Sequence, residues 1–444
     1  MTVKSSVAHS LQNRTIHRAV LSNGMVVLAV ENPAADIVAA RILVRCGSRC
    51  EAPYQSGISH LLSAVLTKGT DRLSSQEIAE RVESVGASMG ADSASDYCLM
   101  SLKTVAADFP EMLRLASEML RSPAFPEAEV ELERRLALHS IRAMQEQPFT
   151  VAYQQLRQIL YRDHPYALSG LGTEDTVSKL TRDDLFNYHH THFRPDNMVI
   201  SIAGRMIPDE AIALIDEVFG DWTPPTDWVA PTLANQETPS VERMPIVSRP
   251  ERAVILQDTQ QAIVMAGHLA ASVHDDDYTV LKLLSTYLGN GLSSRLFVEL
   301  REKRGLAYDV SALYSTRFET SHFVTYMGTA PSNASIALDG LNHEVKRLCT
   351  IPLSSDELQA SKNKLLGQYA LGKQTNAQLA QLYGWYEILN LGVEFDQTFQ
   401  HQVASISADQ AQDVACCYFM KEPYVSLVGP ADAVSHLATP AISQ

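Results

Sequence analysis

The chain has 444 residues, 45% apolar and 20% charged, the balance of a soluble globular protein long enough for several folding units. Lys plus Arg number 36 against 51 Asp plus Glu, a net charge of −15, which repels phosphate backbones and argues against nucleic-acid binding. No apolar run is long enough to cross a bilayer, and six cysteines without a CxxC pair point to reduced thiols, with a zinc or disulfide role for the close pair Cys46 and Cys50 as the alternative.

The first residues, MTVKSSVAHSLQNRTIHR, hold no hydrophobic segment and do not read as a secretory signal. They are basic and free of acids, a weak likeness to an organelle transit peptide, and read better as a flexible arm. GMVVLAV (24–30) and IVAARILVR (37–45) are branched runs typical of strands. LSSQEIAERVESVGA follows as a helix, with Ser74 and Glu77 spaced for a capping box and Gly86 at its stop. YCLMSLKTV (97–105) alternates like a strand. DFPEMLRLASEMLRS (108–122) has helical spacing, and PEAEVELERRLALHSIRAMQEQ (126–147) starts with Pro126 in a first-turn position. Strands and helices mix without the regular alternation of a doubly wound sheet, so the fold class is α+β.

A segment at about 221–251 carries six prolines and little periodicity and reads as an extended connection. It divides the chain into halves, 1–225 and 251–444, with a linker at 226–250. The ends of the halves resemble each other. TRDDLFNYHHTHFRPDNMVISIAG (181–204) and SADQAQDVACCYFMKEPYVSLVG (407–429) both run from a Thr or Ser cap through an aromatic-bearing helix and a Pro to a branched strand and a Gly. This points to an internal duplication.

In the second half, LGNGLSSRLFVELREKRGLAYDVSALYST spans 288–316. Ser293 to Arg304 reads as an amphipathic helix with Leu296, Phe297 and Leu300 on one face, and Gly305 as a left-handed stop. LAYDVSALYS then reads as a strand. Arg301 falls in the last helical turn and Tyr308 early in the strand, so the turn between them can bring both to one sheet edge. On the residues alone, Arg301 is a cation favoured by the helix dipole and Tyr308 a half-buried aromatic.

The first half holds GISHLLSAVLTKGT at 57–70. In a helix, positions i, i+3 and i+4 share a face, and an HxxEH helix uses that face to aim two imidazoles at one zinc ion, with a Glu beside them as general base. Here the three positions hold His60, Ser63 and Ala64. One imidazole cannot hold zinc, a serine is no base near neutral pH, and alanine has no lone pair. The cluster His189, His190 and His192 lies on a helix leading into a strand and reads as surface histidines.

GSRCEAPYQSGISHLLSAVLTKGT resembles the N-terminal signature of the M16 metallopeptidase family, which includes pitrilysin, insulysin and mitochondrial processing peptidase. Gly47, Ser48, Arg49, Glu51, Gly57, His60, Lys68, Gly69 and Thr70 match that frame. The family's third zinc ligand is a Glu about 76 residues past the second His, and Ser140, in ELERRLALHSI, stands there instead. HPYALSGLGTEDTVSKLTRDDLFNYHHTHFRPDNMVISIAG (164–204) extends the likeness, which covers about residues 18 to 430. The family also places an Arg and a Tyr, in the pattern LRExxGLAY, in its C-terminal half. Arg301 and Tyr308 match it residue for residue.

The resemblance implies two homologous halves closing like a clam, each of two modules with helices on one face of a largely antiparallel sheet. It also implies a division of labour. This chain binds no metal of its own, and zinc and the general base are expected in a partner, an HxxEH paralogue forming a heterodimer. Arg301 and Tyr308 supply transition-state stabilisation in trans, on peptides or unfolded polypeptide segments. A homodimer when that partner is absent is the alternative assembly. The alternative function is a scaffold or peptide-binding protein that keeps the peptidase fold, like the core subunits of the cytochrome bc1 complex or the α subunit of processing peptidase. The expected compartment is a reducing, bacterial-type cytoplasm, with an organelle as the alternative.

Overall fold

In the computed structural model, which describes residues 3–11, 14–223 and 246–438, the branched runs become two sheets. The first begins at the N-terminus. The stretch expected as an arm forms β1 (Val3–Leu11) and β2 (Arg14–Leu21), antiparallel to each other, and β2 in turn pairs with β3 (Val26–Glu31). The correction has a simple cause: Ile16 is buried and anchors β2, and the exposed β1 is held by its backbone ladder to β2. β4 (Ile37–Val44), β5 (Ser88–Ser93), β6 (Cys98–Val105) and β7 (Met198–Gly204) complete the sheet in the order β1-β2-β3-β7-β4-β6-β5. Only β3 and β7 are parallel.

The second sheet is built from β8 (Arg252–Leu256), β9 (Ala262–Ala270), β10 (Ala307–Tyr314), β11 (Ser321–Thr329) and β12 (Tyr424–Gly429), in the order β10-β11-β9-β12-β8. Its single parallel pair is β12 with β8. The two orders coincide strand for strand, β3-β7-β4-β6-β5 against β8-β12-β9-β11-β10. The likeness between 181–204 and 407–429 is therefore structural. Both segments place a capped helix, Arg182–His192 after Thr181 and Ala408–Phe419 after Ser407, before the strand that lies parallel to its neighbour.

The other local signals also act as read. Ser74 and Glu77 close a reciprocal capping box on the helix Ser75–Ser84, and Gly86 follows with φ +62°. The helices Phe109–Arg121 and Glu127–Gln145 stand where their periodicity puts them. The region 226–245 of the expected linker lies outside the described residues, and 246–250 has no regular structure.

Packing makes two compact units. One gathers the described residues of Met1–Ile141, Ser169–Glu242 and Ala370–Gln397, the other those of Arg142–Leu168, Arg243–Tyr369 and Thr398–Gln444. The units are discontinuous because each takes one helix from the far half of the chain. Helices expected on one face of each sheet thus occupy both. In the first unit, the core between the sheet and its own helices is built on Val38, Ala40, Ile42 and Val44 of β4 with Leu61, Leu62, Met112 and Leu113. The opposite face receives the helix Asn376–Ile388. Asn376 donates to the Ile37 carbonyl at 2.8 Å, and Glu387 takes both Nε and Nη2 of Arg18 at 3.1 and 2.7 Å. In the second unit, Pro148–Tyr161 lies on β9 and β12, with Leu156 and Leu160 packed against Met265 and Val428.

Close approach is what these docked helices require. A Cβ on Gly384 would stand 2.6 Å from Leu43 Cδ1 and 3.0 Å from Ser201 Cβ. Gly384→Val is expected to cost about 2–3 kcal/mol by overpacking. Gly367, in the helix Ser355–Leu371, has open space where a Cβ would go, so Gly367→Ala is expected to gain about 0.5–1 kcal/mol from helix propensity. Urea midpoints of the two variants against the parent chain check both signs.

Candidate functional site

The first group of site residues sits on and around the helix Ile58–Val65. Its N-terminus is held by a loop whose every framing residue has a structural task. The backbone N–H groups of Ser48 and Arg49 donate to the carbonyls of Ala94 and Ser95 at 3.1 and 2.9 Å, and Arg49 pairs with Asp96 at 3.3 Å. The buried carboxylate of Glu51 accepts from the N–H groups of Gly57 and Ser59 at 2.8 and 3.0 Å and from the Ser59 hydroxyl. Gly57 has φ +96°, and a Cβ there would lie 2.6 Å from the Leu171 carbonyl oxygen, so only glycine fits. Tyr188 OH reaches the Gly47 carbonyl at 3.3 Å.

On this rigid base the metal-ligand positions are bare. His60 is half-buried, and burial pushes its imidazole pKa below the usual range while Asp92 and Glu133 pull it back up. Ser63 is buried with its hydroxyl unpartnered, Ala64 is half-buried, and Ser140 is exposed on the helix Glu127–Gln145. Glu133, seven residues before Ser140 and so on the same face, pairs with Lys68 at 3.0 Å. A zinc ion does not fit these residues. The donor set is one imidazole, and among the described residues no group of three or more His, Cys, Asp or Glu is arranged to hold a metal.

The histidine cluster is corrected in part. His190 is exposed, but His189 is buried, its ring 4.8 Å from Phe193 and 5.8 Å from Phe125, with Nε2 at 2.9 Å from the Leu120 carbonyl. Leu185, Tyr188 and His189 form the inward face of their helix, and burial drives the pKa of His189 down to about 4. The six cysteines are free, and Cys46 Sγ lies 3.6 Å from Cys98 Sγ, a proximity that sequence separation hides.

The second group lies in the other unit. The helix carrying Arg301 is shorter than expected and is a π-helix, Phe297–Glu302, marked by the bond from Lys303 N–H to the Val298 carbonyl at 3.0 Å. Gly305 ends it with φ +61°. Arg301 is exposed and forms no ion pair among the described residues; its guanidinium carbon stands 5.0 Å from the Phe297 ring centre. Arg295, one and a half turns earlier, is by contrast paired with Glu344 and Glu299 at 2.7 and 3.0 Å. Tyr308 is on β10, the edge of its sheet, where the register with β11 breaks between Ala307 and Asp309. A bulge of this kind re-aims a side chain, and Tyr308 is 58% exposed although it belongs to a strand with a buried face. The π-turn and the bulge flank one tight connection, so Arg301 and Tyr308 share that end of the unit. Among the described residues neither side chain has a hydrogen-bond or ion-pair partner. Sequence reading passed over Arg41, whose signal is a single cation inside IVAARILV.

Two expectations follow from this geometry. Burial raises the Glu51 carboxyl to about 7, against its hydrogen bonds to Ser59 and Gly57, which lower it. The folded chain then keeps a proton that the unfolded chain releases near pH 4.5. This contribution to stability is full below about pH 4.5, falls as pH rises, and is gone above about pH 7. Glu51→Gln is expected to remove that slope, read as the difference in urea midpoint between parent and variant across pH 4.5 to 7.5. Separately, Ala64→His combined with Ser140→Glu is expected to gain about one zinc per chain, while Ala64→His alone gains none. Metal analysis of the purified variants decides this.

Comparison with known proteins bears on this arrangement. The insulinase pattern of peptidase family M16 matches residues 26–174, and the peptidase M16 inactive domain matches residues 179–365. A protein described as an uncharacterized zinc protease of Streptomyces coelicolor is 27% identical over 421 residues, covering 94% of this chain and 90% of that one. One of Bacillus subtilis with the same description is 26% identical, covering 94% of this chain and 98% of its own length. Among solved structures, a protease from Helicobacter pylori superposes with a TM-score of 0.84 at 23% identity, over 93% of this chain and 98% of that one. A peptidase M16 inactive domain from Pseudomonas fluorescens gives 0.85 at 22% identity, over 94% and 98%. With both M16 domains matched in order along it, the chain belongs to the M16 peptidase family.

Proposed function

We propose that this chain is the non-catalytic subunit of a heterodimeric M16 zinc peptidase. The observation that carries the reading is an asymmetry between the two site groups. The metal and base positions hold Ser63, Ala64 and Ser140, while Arg301 stands exposed on its π-turn without an ion pair among the described residues and Tyr308 stands exposed on the edge strand β10. A partner with an intact HxxEH helix supplies the metal and the base. This chain supplies what those groups lack. Attack on a peptide carbonyl builds negative charge on its oxygen, and the Tyr308 phenol, preorganised by the bulge, donates a hydrogen bond to it. The Arg301 guanidinium holds a neighbouring carbonyl or carboxylate through its fork of donors. Neither group activates water by itself, so the chain alone is inert.

The substrate class is extended peptide or an unfolded segment. β5 is the terminal strand of the first sheet, and Gly90 on it has open space around its α-carbon. A peptide adding there gains main-chain hydrogen bonds without unfolding anything. No helix of the described residues is long and apolar enough to cross a membrane.

The test is cleavage of a quenched, unstructured peptide by the chain alone, by its HxxEH paralogue alone, and by the mixture. Activity is expected in the mixture only and is abolished by chelation. Tyr308→Phe in this chain is expected to lower kcat by about 10²–10³, and Arg301→Ala to lower kcat/KM. An active mixture indifferent to both substitutions would leave this chain as a scaffold.

A further inference from the structure

Arg41 is a charge without a counter-charge. It lies in β4 between Ala40 and Ile42, which are buried on the core side. Its own side chain is on the opposite face, the one that carries the helix Asn376–Ile388. The single hydrogen bond of its guanidinium runs from Nη1 to the Ala40 carbonyl at 3.0 Å, and among the described residues no carboxylate pairs with it. Three other arginines of the first unit lie beside acidic residues. Arg18 is bonded to Glu387, Arg45 donates to the Glu387 carbonyl at 3.3 Å, and Arg49 has Asp96. Burial lowers the Arg41 pKa and no neighbouring anion offsets it. A half-buried guanidinium without a counter-charge is costly.

The side chain borders a shallow, open cavity of about 440 Å³. Tyr97, Leu382 and Trp385 make its apolar wall, and Gln378 and Gln381 add amides. Apolar walls with a few convergent polar groups and a volume in this range describe a small-ligand site. The ligand must carry negative charge for Arg41 and apolar bulk for the rings. Register adds an approach. Arg41 is paired across β4 and β6 with Ser101, and Ser101 across β6 and β5 with Gly90. Small residues therefore leave the sheet surface open between the cavity and the edge strand.

We propose that this cavity captures the C-terminal carboxylate of a peptide ending in an apolar or aromatic residue, with Arg41 pairing the carboxylate and Trp385 and Tyr97 flanking the last side chain. The inference rests on the peptide-binding reading above and deepens it: substrates are selected by a free C-terminus as well as by an extended segment. A guanidinium fork matches a carboxylate in two parallel hydrogen bonds. An acidic side chain alone would leave the walls unfilled.

The experiment is calorimetric titration of the full chain with an N-acetylated tripeptide ending in phenylalanine, as the free acid and as the amide. The acid is expected to bind at least tenfold more tightly than the amide. Arg41→Gln is expected to equalise the two, Arg41→Lys to keep part of the preference, and Trp385→Ala to weaken both. Arg41→Gln should melt no lower than the parent, because it removes an unpaired charge, so loss of binding there is not loss of fold. Equal binding of acid and amide by the parent, no binding of either, or a preference that survives Arg41→Gln overturns the proposal. The two readings fail separately. Cleavage by the mixture that ignores Arg41 and the C-terminus removes this one only, whereas acid-selective binding without cleavage in any mixture removes the heterodimer reading and keeps the cavity.

Discussion

A sheet whose central strands are apolar on both faces cannot leave either face to water. β7 and β12 are buried at every residue, and each sheet's own helices cover only one side. The second side is closed in each unit by a helix from the distant half of the chain. That requirement decides much else. It demands glycine at Gly384, where helix and sheet nearly touch, and on the sheet at Gly267, where Leu156 would meet a Cβ at 3.1 Å. It draws the partly buried arginines Arg18 and Arg45 onto Glu387, since a carboxylate brought in on the covering helix is their nearest compensation. It also makes the compact units discontinuous along the chain.

The same reasoning separates what survives in the zinc-peptidase signature from what does not. Gly47, Arg49, Glu51 and Gly57 each close a contact that fixes the entry to the helix Ile58–Val65, and each would cost stability if lost. Ser140 and Ala64 close no such contact. Ser63 fills a buried place with a hydroxyl that has no partner. The fold therefore needs the frame and not the ligands, and the chain keeps the frame without them. Arg301 and Tyr308 present the opposite case. A π-turn and a β-bulge, both departures from regular geometry, hold two polar side chains in solvent, with the Phe297 ring beside Arg301 as the contact seen among the described residues. Such local irregularity fits a part in recognition or chemistry better than a part in folding.

Much of the secondary structure was legible because its signals are local. The capping boxes at Ser74 and Thr181, the left-handed glycines at Gly86 and Gly305, and the branched runs of β3, β4 and β6 depend on neighbours within a few residues. The loss of the zinc ligands was legible for the same reason, since a helix face is set by spacing alone. The duplication could be suspected from two matching segments, because each is a complete local unit of cap, helix and strand.

What tertiary structure alone decided depends on partners far apart in sequence. Composition could not show that a basic, acid-free N-terminus ends as an edge strand, because its ladder to β2, and not burial of its own side chains, supplies the reason. The inward turn of His189 follows from which face of its helix meets Phe125 and Leu120. The exchange of Pro148–Tyr161 and Asn376–Ile388 between units leaves no periodic trace, because a helix covering a sheet has the same pattern whichever sheet it covers. The environment of Arg41 is of the same kind. The residue is plain in the sequence, but its lack of a counter-charge and the cavity beside it exist only once Trp385, some 340 positions away, is folded over the sheet.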